Sequence, residues 1–415
     1  MTTSTTETHR AIEQVARQSY GRIVAYLSAR TRDVAGAEDA LSDALIAALT
    51  AWPRDGVPKS PEAWLLTTAR NRLIDRVRHR QMQASNASSL ELLADTAQDP
   101  PIDEGGADTL PDERLKLLFV CAHPAIDPSI HTALMLQTVL GLDAGAIARA
   151  FVVAPATMSQ RLVRAKSKIR QAGITFELPQ ADQLPARLDA VLRAIYAAYG
   201  SGWGDAAGID AHASGLVDEA LWLARVLRQR MPESAEVRGL LALMLHCEAR
   251  RPARRTPDGR FIALLEQDPR QWIEPMIVEA EAELAAAAAL RRPGRFQLEA
   301  AIQSAHAERA RTGRTDWQSI ALLYEGLVGI SPTLGAHVGR AAAVAQVNGA
   351  NVGLGMLDAL DAASVEGYQP YWAVRAHLLR EAGRAAEAVT AFDRAIALAD
   401  DPAIRDFLRE RREGL

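Results

Sequence analysis

The stretch Leu142–Arg170, LDAGAIARAFVVAPATMSQRLVRAKSKIR, decides how the rest of the chain is read. It has the layout of a short helix, a three-residue turn near Val152 to Ala154, and a longer second helix. In the second helix Met158, Leu162, Ala165 and Ile169 recur at helical spacing and are expected to pack inward. That leaves Ala156, Thr157, Ser159, Gln160, Arg161 and Arg164 facing outward. From Arg161 to Arg170 five basic residues, completed by Lys166 and Lys168, meet no acid. Such a helix suits a major groove: its N-terminal residues reach base edges, while Arg164, Lys166 and Lys168 neutralise phosphates. The bland alternative is a solvated basic helix in a bundle.

A second basic helix lies upstream. In PEAWLLTTARNRLIDRVRHR, residues 61–80, five arginines (Arg70, Arg72, Arg76, Arg78, Arg80) stand against the single acid Asp75 in the run from Arg70. Ser60 reads as its N-cap and Pro61 as its first helical residue. Before it, Ala37, Ala40, Leu41, Ala44, Leu45, Ala48, Leu49 and Trp52 follow the i, i+3, i+4, i+7 pattern of an amphipathic helix that is expected to end at Trp52-Pro53. The loop PRDGVPKSP separates the two. After the basic helix, residues 81–110 are polar and broken by Pro-Pro and Gly-Gly, the composition of a flexible linker. Residues 111–178 read as a compact unit of four helical stretches, with Asp127-Pro128 as a cap and Gly141 as a stop.

The whole chain has 415 residues, too many for one ordinary core. Its 48% hydrophobic, 24% charged and 5% aromatic residues describe an Ala/Leu/Arg-rich helical protein, neither disordered nor membrane-spanning. The net charge of −4 argues only weakly against nucleic acid, because the basic residues are clustered in two helices. Cys121 and Cys247 sit far apart in apolar helical surroundings, which suits buried thiols in a reducing compartment and no disulfide.

Leu142–Arg170 resembles region four of extracytoplasmic-function (ECF) sigma factors, including the Arg161-Leu162 pair and the Arg164-Ala165-Lys166 run. It departs at Ala154, where the family usually has a Ser or Thr cap, and at Gly145-Ala146, where acids are common. The helix from Pro61 resembles the end of region two, with the core Ala69-Arg70-Asn71 and Asp75. The helix from Ala37 resembles the polymerase-docking helix of region two. The resemblance implies an all-α protein: sigma region 2 at residues 10–80, linker 81–110, and a region 4 helix-turn-helix at 111–178. It implies binding of core RNA polymerase through Asp39 and Asp43, and of promoter DNA, duplex and melted strand. Duplex contacts fall to Ala156, Thr157, Ser159, Gln160, Arg161, Arg164 and Lys168. Melted-strand contacts fall to Trp64, Arg70, Asn71, Arg76 and Arg78, with the loop Arg54 to Lys59 as the flipped-base pocket. Trp64 taken alone reads better as a core residue, and acids near a helix start are also ordinary helix chemistry.

Residues 184–415 alternate helical stretches with Gly/Pro breaks. Near the end, Trp372, Ala376, Leu379, Ala388, Phe392 and Ala395 match one tetratricopeptide repeat (TPR), departing at Arg375. One repeat cannot bury its own apolar face, so a TPR-like helical solenoid is expected, with room for a protein or small-molecule regulator. LLALMLHCEARRPAR, GRFIALLEQDPRQW and TDWQSIALLYEGL resemble the C-terminal extension of one sigma subgroup.

There is no GxxxxGK, HExxH or GxSxG, and Cys121 with His123 lacks a second pair at ligand spacing. No enzyme, cofactor or metal is expected, and the chain is expected in the cytoplasm. The competing function is a helix-turn-helix regulator that senses a ligand or peptide in its repeat domain. The segment Ala37 to Arg80 speaks against it, since an operator-binding regulator needs neither a docking nor a strand-opening helix.

Overall fold

The computed structural model of the protein describes residues 5–83, 112–151, 153–180, 182–203 and 211–415. Most of the expected linker, from residue 84 on, lies outside the described residues. Among the described residues the secondary structure is helical, with one isolated antiparallel bridge between Arg255 and Phe261. The chain forms two compact units, Met1–Gly202 with Ser214–Leu223, and Trp203–Ala213 with Ala224–Leu415.

The first unit opens with α1 (Thr5–Thr31), α2 (Val34–Asp55) and α3 (Pro61–Gln83). Asp33 starts α2 by accepting from the Gly36 N–H at 3.0 Å. The apolar stripe expected on this helix buries Ala37, Ala40, Leu41, Ala44, Ala48 and Trp52. They meet Ile23 and Leu27 of α1 and Leu65, Leu66, Ala69 and Leu73 of α3 in a shared core. Two expectations fail here. Helix α2 runs through Pro53 to Asp55, because a proline in the last turn gives up only one backbone bond and the Gly56 N–H still reaches the Trp52 carbonyl at 3.0 Å. Ser60 does not cap α3 with its side chain, since its buried hydroxyl has no hydrogen-bond partner.

Then follow α4 (Arg114–Cys121), α5 (His131–Thr138), α6 (Ala144–Ala150), α7 (Pro155–Gln171) and α8 (Leu184–Trp203). Asp127 caps a 3-10 turn at Pro128–Ile130 as expected, and Gly141 stops the preceding helix with φ +67°. Both cysteines are buried free thiols, with burial pushing Cys121 up to about 12 and Cys247 up to about 11. Gly21 on α1 lets this second bundle sit against the first. A Cβ there would lie 1.8 Å from the Val139 carbonyl oxygen, so only glycine fits so close an approach. Helix α8, expected with the C-terminal domain, is grouped with this first unit.

Helix α9 (Ala211–Arg230) contributes residues to both units. The second unit continues with α10 (Ala235–Ala249), α11 (Glu274–Ala289), α12 (Arg295–Ala307), α13 (Trp317–Ile330), α14 (Leu334–Asn348), α15 (Ala350–Asp358), α16 (Gln369–Glu381), α17 (Ala385–Ala397) and α18 (Pro402–Glu413). Successive helices pack on one another. The start of α12 is held from α10, where the Glu236 carboxylate accepts the Phe296 and Gln297 N–H groups, each at 3.1 Å. Ala376, Leu379, Ala388, Phe392 and Ala395 are buried together between α16 and α17, with Trp372 packed against them. Arg375, the departure from the repeat pattern, pairs instead with Asp358 of α15.

Between α10 and α11, residues 250–273 form a long connector that reaches the far end of the unit. Arg255 pairs with Asp401 and Arg411 with Glu266, and Phe261 meets Phe407 edge to face with centroids 5.3 Å apart. The unit is thereby tied from this connector to α18.

Candidate nucleic-acid interface

Helix α7 buries Met158, Leu162, Ala165 and Ile169, the inward face that the spacing predicts. Ala156, Thr157, Ser159, Gln160, Arg164 and Lys168 are exposed, as is the apolar Val163. Ala154 precedes the helix without a side-chain cap bond, whereas Asp143 caps α6 by accepting from the Gly145 and Ala146 N–H groups at 2.8 and 2.9 Å. Arg161 is half-buried and donates to the Ser129 hydroxyl at 2.6 Å. With Arg164, Lys168, Asp127 and Ile130 it lines a hollow of about 420 Å³. Three cations meet one carboxylate there, and that carboxylate already caps the Pro128 turn. The hollow is therefore a positive one, suited to an anion such as a phosphate.

Lys166 does not share this surface. Its ammonium lies 2.5 Å from Glu38 of α2, and both side chains are nearly enclosed, 10% and 13% exposed. Glu38 also accepts from the Tyr20 hydroxyl at 3.3 Å. Burial raises the Glu38 carboxyl above its ordinary range, and Lys166 and Tyr20 act against that rise. Arg170 adds a longer contact to Asp33, at 3.4 Å.

Asp39 and Asp43 stand one turn apart on α2, and both pair with Arg76 of α3, at 3.2 and 2.6 Å. Arg76 is thus an intramolecular partner of the two acids. Next to them Ile46 is 63% and Leu49 45% exposed. The periodicity that placed Leu49 inside was misleading, and Ile46 was not singled out from sequence. Their signal is that apolar positions on α2 outnumber what one buried stripe can hold.

Trp64 is half-buried and packs edge to face on Trp52, centroids 5.5 Å apart, which places it among the packing side chains of the first bundle. Arg70 is half-buried with its Nε unpartnered, and Asn71 is exposed. Arg54, which lies in the last turn of α2 and not in the expected loop, and Lys59 of the connecting loop are exposed. The Arg78 side chain lies outside the described residues.

Residues 15–82 match the model of sigma-70 region 2, which covers the later part of α1, all of α2 and all but the last residue of α3. The chain carries region 2 of the sigma-70 factors. As a sigma factor it binds core RNA polymerase and promoter DNA in transcription initiation. Residues 187–288 of this sigma factor match a second family, DUF6596, whose function is unknown. A protein of Rhizobium meliloti (strain 1021) described as uncharacterized protein R00370 is 39% identical over 407 residues, covering 98% of this chain and 95% of that protein. No solved structure matches the chain. No described helix of the sigma factor is long and apolar enough to cross a membrane.

Proposed function

We propose that the protein is an ECF-type sigma factor whose TPR-like C-terminal unit regulates it. The observation that carries the reading is α2, where Asp39 and Asp43 adjoin the exposed apolar pair Ile46 and Leu49. Apolar side chains left in solvent beside a rim of acids are what a docking surface on polymerase needs: burial for affinity, charge for orientation. Helix α3 and the segment Arg54 to Lys59, from the end of α2 into the loop, then open the minus-ten element, with Arg70 and Asn71 on the separated strand. Helix α7 acts as the recognition helix of a helix-turn-helix at the minus-thirty-five element. Its exposed Ala156, Thr157, Ser159 and Gln160 read base edges, and Arg161, Arg164 and Lys168 hold phosphates.

The second unit carries no motif of catalysis, and its stacked helices offer a surface for a partner or ligand. Run-off transcription with core polymerase tests the proposal. Promoter-dependent product is expected, and truncation after about Leu178 is expected to change its amount. Absence of product for both full-length and truncated chains, alongside specific binding to a closed operator, would assign the chain to the regulators.

A further inference from the structure

The second unit holds a cavity of about 330 Å³ that the sigma-factor reading leaves without a role. It opens where the loop Arg255 to Phe261 meets α18. Phe261 and Phe407, edge to face, form its apolar floor with Gly259, Pro402 and Ala403.

The charged groups around this floor are unequally satisfied. Arg255 is held by Asp401 and by the Gly259 carbonyl at 3.0 Å, and Asp401 also accepts the Ala403 N–H at 2.9 Å. Arg260 is met by Asp258 at 2.9 Å. Both guanidiniums of the lining thus have carboxylate partners. Two further carboxylates remain: Asp406, shared with Arg409 at 2.8 Å, and Glu410, whose side chain makes no hydrogen bond or ion pair among the described residues. Four carboxylates against two guanidiniums leave the lining negative above an aromatic floor.

The Phe407 ring already carries one cation. The Arg411 guanidinium carbon lies 5.0 Å from that ring's centroid while the group pairs with Glu266.

We propose that this cavity binds a small organic cation, an amine or guanidine on an apolar body of amino-acid size. The apolar body covers Phe261 and Phe407 and the cation meets Glu410 and Asp406. An anion would find both guanidiniums engaged and the rim repulsive. The volume stands at the low end for ligand pockets, roughly 300 to 1,000 Å³, which favours a free molecule over a peptide. The assignment rests on the cavity alone and not on promoter activity.

Titration of the full-length protein with phenethylamine and with agmatine, followed by saturation-transfer NMR at physiological ionic strength, tests it. Saturable binding of at least one amine is expected, and none of 3-phenylpropionate, which has the same body and the opposite charge. Glu410→Gln, a change on an exposed side chain, is expected to weaken binding by about fivefold or more, and Phe407→Leu to weaken it as well. The proposal is overturned if neither amine saturates, if the anion binds equally, or if Glu410→Gln binds as the parent does. Binding of an arginine-containing peptide in place of both amines would also overturn it, by giving the cavity to a protein partner.

Discussion

Lys166 of α7 and Glu38 of α2, 128 positions apart in sequence, share a nearly enclosed ion pair at 2.5 Å. The pair joins the two helical bundles of the first unit, and while it holds, Lys166 is withdrawn from any phosphate. Removing one partner of such a pair strands the other charge out of water, so the loss exceeds the value of the pair itself. Glu38→Gln and Lys166→Met are each expected to destabilise the first unit, and the double variant by less than their sum. A coupling of about 1 to 3 kcal/mol is expected in urea denaturation. Strict additivity would show that the pair contributes nothing to the joint.

Gly21→Ala tests the same joint sterically. The added methyl meets the Val139 carbonyl, a backbone atom that cannot swing away, while alanine favours helix α1 itself by about 1 kcal/mol. The two bundles are expected to separate with their helices intact. Small-angle scattering should show a larger radius of gyration with unchanged far-UV circular dichroism; an unchanged radius would mean the bundles yield without parting.

Ile46→Asp with Leu49→Asp is expected to leave the fold intact, since both side chains are already in solvent. Affinity for core polymerase should fall by about tenfold or more, equal to about 1.4 kcal/mol. Full affinity in a pull-down titration would remove α2 from the docking surface.

Glu236→Gln keeps the size of the side chain that starts α12 but removes its charge and one of its two acceptor oxygens. A loss of about 1 to 2 kcal/mol is expected, read as a lower urea midpoint of the second unit.

Two histidines of the second unit make it acid-sensitive. Burial, then Arg250, hold His246 down at about 4; burial, then Arg250 and Arg309, do the same for His306. The Glu281 carboxylate 3.4 Å from His246 does not offset this. The unfolded chain takes up these protons near pH 6.5, the folded unit only near pH 4, so below about 6.5 the unfolded state binds more protons. Stability is complete above that pH and falls as pH drops toward 4, by at most about 1.4 kcal/mol per pH unit for each histidine. Urea midpoints that stay flat from pH 7 to pH 4.5 would contradict this.

The inward face of α7 was legible because four apolar residues at helical spacing have one way to be buried. The caps Asp127 and Gly141 were legible because their backbone geometry is local. The partners of Lys166 and Arg76 were not, since each is a choice among many carboxylates brought close only by tertiary packing. Leu49 was misplaced because periodicity reports where apolar residues recur and not how wide a stripe the neighbouring helices cover. The tie between Arg255 and Asp401 carries no sequence signal, as both residue types are common and 146 positions separate them.

That tie bears on how the protein is made. An open stack of hairpins can settle pair by pair as each emerges during synthesis, because every contact is with a neighbour. Here the connector after the first hairpin waits for α18, whose first turn follows Arg255 by more than 140 positions. Until then Phe261 and the guanidinium of Arg255 face water, and the nascent unit is open. Closure falls once α18 has emerged, so a ribosome stalled before that point displays a second unit that cannot yet close.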